Sequence, residues 1–466
     1  MIEYTPTPAG FDLLQLHRSY PARYPYLLES VVHGSPSARY DILFAFPQQI
    51  LELTGPDLLQ GKGLTLSGTD FLANLDNWWA QHKLPEEVPA QLPFSGGWFV
   101  YLGYELATQI EPRLKNVNHS AKTQRTSPPV ATHTLPVAFA MRIPAAFIKD
   151  HDSGKLYLVS EQDCDGHFEL MKADMSALEK AQFSPQPLLK TALLEQPPQR
   201  YIEGVQCILR YIKEGDVFQV NLSREWSATL KAEVSAADVY QQLREQNPAP
   251  FAGLVQYGDC AIISSSPERL VSVRGGVAAT RPIAGTHPRS PAHATDRDDM
   301  QRLLAHPKER AEHIMLIDLE RNDLGRVCVP GSVSVDELMI IESYAHVHHI
   351  VSNIRGRLRD TVTPGQVLSA VFPGGTITGC PKVRCMEIID EIEQTPRGPY
   401  TGSMGYINRD GSMDFNILIR TLVKTHQQIS LRAGAGIVAD SDPERELAET
   451  RAKARGMILA LESKEY

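Results

Sequence analysis

Four glutamates set the first chemical question. Glu309 and Glu312 lie three apart in KERAEHIMLIDLE, directly after Pro307, and Glu446 and Glu449 repeat the spacing in DPERELAETRAKARGMILALES, which opens at Asp442–Pro443. Proline at a first turn and i, i+3 spacing put each pair on one face of a helix. His313 follows Glu309 by one turn, and Lys453 follows Glu449 by one turn. Two such pairs brought together suit a hard cation such as Mg²⁺, which takes carboxylate oxygens, waters and often a ligand oxygen. An acidic pair on an amphipathic helix is more commonly a solvated face, so spacing alone does not make a metal site.

Two glycine-rich stretches invite a nucleotide reading and fail it. In PGGTITGCPK (373–382), Gly375 and Gly379 enclose three residues where a phosphate loop needs four. Cys380–Pro381 then intervene before Lys382, and Pro381 has no N–H to offer a phosphate. GAGIVA (434–439) fits G-x-G-x-x-A, but no βαβ pattern surrounds it. Backbone N–H groups in such loops can still hold a carboxylate. In SYAHVHHIVSN (343–353), His346 and His348 share one strand face and His349 takes the other, against a three-histidine metal centre. Ser264, Ser265 and Ser266 before Pro267–Glu268 read by themselves as a polar turn. Arg420, the lone cation of FNILIRTLV (415–423), is different: it wants an anionic partner, from the protein or from a ligand.

The elements that carry these residues are grouped, not strictly alternating. Residues 1–110 alternate short apolar runs with turn clusters, as in YDILFAF (40–46) and PFSGGWFVYLGYELA (93–107). A polar stretch at 111–134 reads as a surface loop, strand patterning resumes at 136–160, and the Pro/Gln-rich 183–200 reads as a linker. From 201, Ile202, Val205, Ile208, Leu209 and Ile212 predict a helix ending at Gly215, followed by a strand in VFQVNLSREW. Strand patterns follow at 252–275, 334–341 and 403–437; helix patterns follow at 235–246, 308–322, 364–371, 382–393 and 443–463. This grouping predicts an α+β fold, antiparallel sheets with surrounding helices. It divides the sequence into an N-terminal region (1–184), a linker (185–200) and a catalytic domain (201–466) that holds most of the chemistry-bearing residues.

Composition bounds the rest. Over 466 residues, 42% are hydrophobic and 22% charged, an ordinary globular balance that excludes a wholly disordered chain. A net charge of −9 argues against nucleic acid or an anionic membrane as the main partner. No apolar run nears the ~20 residues of a membrane span, and MIEYTPTPAG lacks a signal-peptide pattern. The six cysteines (Cys164, Cys207, Cys260, Cys328, Cys380, Cys385) form no C-x-x-C pair and read as plain thiols in a reducing compartment. The expectation is a soluble cytoplasmic protein.

Taken together, SSSPERL, RPIAGTHPR, KERAEHIMLIDLERNDLGRV, HHIVSN, FPGGTITGCPKVRCMEIIDE, GSMDFNILIRTL and GAGIVADSDPERELAETRAKA occur in this order. The series resembles the chorismate-utilising enzymes: anthranilate synthase component I, aminodeoxychorismate synthase component I, and the isochorismate and salicylate synthases. The likeness is strong over about 200–460 and looser over 1–110. It implies one intertwined α+β fold and Mg²⁺ bridging the protein to the ring carboxylate of chorismate. It also implies Glu312 and Glu449 as metal ligands, with Glu309 and Glu446 acting mainly through metal-bound water. Glu268 would be the general acid/base at the C4 hydroxyl. Thr286, Tyr400, Arg420, the backbone at Gly434 and Gly436, and Lys453 would hold the substrate carboxylates, His349 would lie against the ring, and Gln219, Ala284 and Thr376 would line the site.

Within the family, isochorismate and salicylate synthases resemble one another in carrying a water-activating lysine where this chain has Gln219. A neutral amide cannot remove a proton from water, so the resemblance implies ammonia as the nucleophile, supplied by a separate glutaminase subunit. NPAPFAG (247–253), SARYDILFAFP (37–47) and FPGGTITG (372–379) are similar to aminodeoxychorismate synthase component I, which feeds p-aminobenzoate and folate. YPYLLES (24–30) and Ala284 point the other way, to anthranilate synthase component I and the tryptophan branch. In that branch Leu28, Glu29 and Ser30 would belong to a tryptophan pocket. Many aminodeoxychorismate synthases look to have a nucleophilic lysine at the position of Ala284, which an alanine cannot replace. The reading is the 4-aminating branch, with anthranilate synthase as the alternative. A non-catalytic chorismate- or tryptophan-binding regulatory subunit would leave the acidic constellation idle.

Overall fold

The computed structural model describes residues 1–8, 10–32, 39–84, 92–114, 135–161, 166–178, 186–288, 307–343 and 347–462, with backbone alone at 284–288, 307–309, 343 and 347–348. Among them, two large antiparallel sheets pack face to face and helices cover both outer surfaces. One sheet runs in the order Ile2–Pro6, Lys155–Ser160, Ala145–Asp150, Tyr40–Ala45, Tyr26–Glu29, Phe251–Tyr257, Cys260–Ser266, Thr421–Thr425, Gln428–Ile437, Gln219–Thr229, Leu194–Glu195. Gly379–Cys380 adds a short pairing to Gln219–Val220. The other sheet runs from Ile283–Pro288 through Val347–Arg357, Val277–Thr280, Arg269–Arg274, Met413–Asn416, Ser403–Asn408, Gly97–Leu102, Ala138–Ile143 and Ile50–Gly55 to Leu58–Gly61. Ser334–Ser343 pairs onto Val347–Arg357. The fold is α+β, as the grouping of elements predicts.

Between the sheets, Tyr26, Ile42 and Phe44 meet Phe99, Tyr101, Phe139 and Tyr406 in one apolar cluster. The Tyr26 and Phe99 rings stack at 4.3 Å. Gly97–Leu102 is buried at every position, which explains why WFVYL reads as a continuous apolar run and not as an alternation. The outer face of the first sheet is sealed by Leu13–Ser19, Ala236–Gln246 and Pro443–Leu461, and that of the second by Phe71–His82 and Pro364–Val371.

The helices at 236–246, 364–371, 382–393 and 443–461 lie where the periodicity places them. Their starts follow from capping chemistry: Ser235 and Asp238 cap each other's backbone, and Asp442 accepts from the Arg445 N–H. Two N-terminal helices escape the sequence reading. Leu13–Ser19 is capped by Asp12 and Phe71–His82 by Asp70. Within the stretch read as a linker, Leu188 is buried and Leu194–Glu195 pairs with Trp226–Ser227. The segments 1–184 and 201–466 both contribute strands to both sheets, so the textural boundary between them does not separate two cores. Most of the polar stretch 111–134 lies outside the described residues.

Candidate active site

The chain crosses from one sheet to the other at Pro267–Glu268, between the strands Cys260–Ser266 and Arg269–Arg274. This crossover is pinned to a second one. Ser266 Oγ donates to Ile417 C=O at 2.5 Å, Ile417 N–H donates to Glu268 C=O at 3.0 Å, and Ser265 N–H donates to Arg420 C=O at 3.1 Å. The three serines therefore do more than form a polar turn: they fasten two turns that carry an acid and a cation. Glu268 is 5% exposed, and its Oε1 has no hydrogen-bond partner among the described residues. Burial pushes its carboxyl up to about 7, while Thr376, the Ile283 N–H and the charge of Lys453 partly offset that rise. A carboxyl poised there is protonated over much of the neutral range and suits proton donation.

Arg420 has the left-handed backbone of φ 53°, uncommon for a residue with a side chain. Its guanidinium makes no hydrogen bond or ion pair among the described residues, and burial lowers its pKa, opposed by Tyr400. Tyr400 is itself buried, with its hydroxyl against Gly434: a Cβ added there would lie 2.8 Å from the Tyr400 hydroxyl and 2.9 Å from Asn221 Oδ1. A Cβ at Gly436 would collide with Gln219 Nε2. The strand Gln428–Ile437 pairs with Thr421–Thr425 only as far as Leu431, so, among the described residues, 432–437 have a strand partner on one edge alone. Arg420 stands at the head of the strand that stops short. An unpaired edge of backbone N–H groups beside a lone guanidinium is a place for a carboxylate.

The turn that presents Tyr400 is held by buried charge. Arg397 donates to Glu393 at 2.6 Å and Arg432 donates to it at 2.8 Å, so the two guanidiniums keep the Glu393 carboxyl low despite its burial. Ser223 adds hydrogen bonds from its N–H and hydroxyl to the same carboxylate. All the lone pairs of this buried acid are engaged, unlike those of Glu268.

Of the four glutamates, Glu312 is half-buried and accepts from Gln219 Nε2 at 3.0 Å. Glu446 is buried and accepts from Ser441 Oγ at 2.6 Å. Glu449, 48% exposed, pairs with Lys453 at 2.7 Å. The Glu309 side chain lies outside the described set. The donor set is all hard carboxylate oxygen, which fits Mg²⁺. Among the described residues, no three acid, imidazole or thiol groups stand close enough together to hold an ion by themselves. Lys453 thus serves Glu449 and also lends favourable charge to Glu268.

His349 is buried in the strand Val347–Arg357 with Thr286 as its cross-strand partner, and Ala284 is opposite Ile350. His346 lies outside the described residues. His313 is fully buried and hydrogen-bonded to Ser352 at 2.6 Å, with burial lowering its pKa to about 4, so it is a neutral structural histidine. Glu29 accepts from the Tyr240 hydroxyl at 2.7 Å and from Arg244 at 3.2 Å. Ser30 N–H donates to Asp41 at 2.9 Å and its hydroxyl to Pro250 C=O at 3.1 Å. Leu28, beside them, packs against the inter-sheet cluster.

Two groups near the site were not singled out from sequence. Glu320 and Asp323, buried on the helix Pro307–Gly325, form a cluster with Lys382, whose ammonium donates to Asp323 at 2.5 Å. Burial and the neighbouring Asp323 push Glu320 up to about 8, and the charge of Glu268 adds to the rise. Their i, i+3 spacing, the same as that of Glu309 and Glu312, was the available signal. Asn221, two residues from Gln219 on one strand face, is the other.

The family described as chorismate binding enzyme matches residues 31–459. An anthranilate synthase component I-like protein of Synechocystis sp. is 44% identical over 384 residues, 82% of this chain and 76% of that protein. Aminodeoxychorismate synthase component 1 of Bacillus subtilis is 38% identical over 456 residues, 94% of this chain and 92% of that protein. The crystal structure of anthranilate synthase component I from Streptococcus pneumoniae superposes with a TM-score of 0.76 at 30% identity, covering 92% of this chain and 93% of that one.

Proposed function

This chain belongs to the chorismate-binding enzyme family, and from that premise we propose that it aminates chorismate at C4, as an aminodeoxychorismate synthase component I, with ammonia supplied by a separate glutaminase subunit. The observation that carries the reading is the pair of turns at 265–268 and 417–420, which hold a half-buried guanidinium and a buried carboxyl oxygen that have no partner among the described residues. A dianionic substrate with a poor leaving hydroxyl needs those two groups. Arg420, Tyr400 and the open strand edge at Gly434 and Gly436 take one substrate carboxylate. Glu268 gives its proton to the C4 hydroxyl as the C–O bond breaks and water leaves. The ammonia lone pair forms the new C–N bond, and the proton lost by nitrogen returns to the Glu268 carboxylate.

Glu312 and Glu449 would hold Mg²⁺, with Glu309 and Glu446 acting through water. When bound, the cation would supply positive charge against the ring carboxylate. Glu312→Gln should raise the Mg²⁺ concentration for half-maximal turnover by about 10- to 100-fold, the scale of losing a group that tunes a metal site. A Mg²⁺ titration identical to wild type would remove Glu312 from the ligand set.

Glu29 and Ser30 favour the 4-aminating branch, because their polar groups are already tied to Tyr240, Arg244, Asp41 and Pro250. Ala284 favours the second reading, 2-amination with loss of pyruvate as in anthranilate synthase. The discriminating experiment incubates the purified chain with chorismate, Mg²⁺ and ammonium salt at alkaline pH, then resolves products by mass. A product that keeps its enolpyruvyl group is expected. Anthranilate and free pyruvate would overturn the choice of branch.

A further inference from the structure

Beside the seat for the substrate carboxylate, two buried cations share one buried anion. Arg397 meets the Glu393 carboxylate at 2.6 and 3.0 Å, Arg432 meets it at 2.8 Å, and all three residues are buried. The remaining Arg397 donors end on the C=O groups of Asn221 and Ile377 and on Thr401 Oγ1. Those of Arg432 end on the hydroxyls of Ser223 and Thr395. These acceptors are neutral, so among the described residues the trio carries one positive charge in excess. Glu225 comes within 3.7 Å of Arg432, but its side chain is 41% exposed and water screens that pair. Glu105 also lies near Arg397, its carboxylate engaged by the backbone N–H groups of Arg397 and Gly398.

The excess charge is one aromatic ring away from the seat. The Arg397 guanidinium lies over the Tyr400 ring, 5.5 Å from its centroid, and the Tyr400 hydroxyl stands against Gly434. Arg432 precedes Gly434 by two residues in an unbroken ladder, so the two share a strand face about 7 Å apart. Burial pushes the Tyr400 hydroxyl up to about 12; Arg397, Arg432 and Arg420 oppose that rise, and Glu393 adds to it. Coulomb attraction reaches across such a distance when little water lies between. We propose that Arg432, by leaving the trio positive, draws the substrate carboxylate onto Tyr400 and Gly434 without touching it. Arg432 is thus a positioning residue, acting through Glu393, Arg397 and Tyr400. This role rests on the carboxylate seat of the proposed function and holds for either aminated ring carbon.

The test is calorimetric binding of chorismate to the full chain with Mg²⁺ and no ammonium, followed by steady-state rates with ammonium chloride. Arg432→Gln should weaken chorismate binding about tenfold, the scale of one unit charge lost at about 7 Å in a partly buried site. KM should rise in step while kcat at saturation stays within about threefold, because the carboxylate is held alike in ground and transition states. Arg432→Lys keeps the charge but not the forked donor geometry, and should bind within about threefold of wild type. A purely structural arginine would give another pattern: lysine would fail with glutamine, and kcat and melting temperature would fall with affinity. Should Arg432→Gln not fold, Thr395→Asp places an anion at the exposed neighbour that Arg432 already touches, and should weaken binding by about threefold. Unchanged affinity in whichever of these two variants is measured, or equal losses in Arg432→Lys and Arg432→Gln, overturns the role of Arg432 and leaves the proposed function standing. A wild-type chain that binds no chorismate brings down both.

Discussion

Glu268→Gln should lower kcat by about 10²- to 10⁴-fold while chorismate still binds. The amide preserves shape and a hydrogen-bond donor but has no proton to surrender to a leaving hydroxyl. The acid in the folded chain is raised to about 7 by burial, so its protonated form dominates below that pH and is lost as the pH rises through it. Wild-type kcat at saturating ammonia should therefore fall on the alkaline side, and the residual rate of Glu268→Gln should lack that limb. Glu320, pushed up to about 8 with Glu268 among the causes, shares the titration, so the limb belongs to the pair and not to one residue. Steady-state rates across pH and calorimetric binding of chorismate check both halves. Near-normal kcat in the variant would end the assignment.

The second large effect is at Arg420. Arg420→Met should lower kcat/KM for chorismate by about 10²-fold or more, expressed mostly in KM, because each charge-assisted hydrogen bond to a carboxylate contributes roughly 1.5–3 kcal/mol. The same substitution removes a half-buried cation that has no anionic partner among the described residues, so its melting temperature should equal or exceed that of wild type. Lost binding with gained stability would mark Arg420 as a residue kept for its ligand. Unchanged KM would show that the substrate carboxylates are held elsewhere.

Local chemistry was legible in the sequence. The helix starts at Pro307 and at Asp442–Pro443, and the lone arginine in FNILIRTLV, each act within a few residues, and each lies where its chemistry requires. The short helix Leu13–Ser19 was missed because seven residues carry too little periodicity. The longer Phe71–His82 was masked by the turn clusters around it. Register between distant strands was not legible at all. Nothing local announces that Asn221 lies opposite Gly436, or that Thr286 faces His349. The place of Asn221 depends on such register and emerged only from the fold, whereas Glu320 and Asp323 carried a helical spacing that the sequence did show.

The interleaving of the two sheets also bears on how the chain is made. Ser95 waits for Asn408, 313 positions later, and Ser30 for Pro250, 220 positions later. A ribosome delivers the first of each pair long before the second. Until residues 251–257 and 403–408 emerge, Tyr26–Glu29 and Gly97–Leu102 respectively lack a neighbour in the sheet, and unpaired strand edges are where nascent chains stick to one another. Synthesis of this protein is thus a race between completion and self-association, one in which a chaperone that shields edges would matter more than one that speeds any local step.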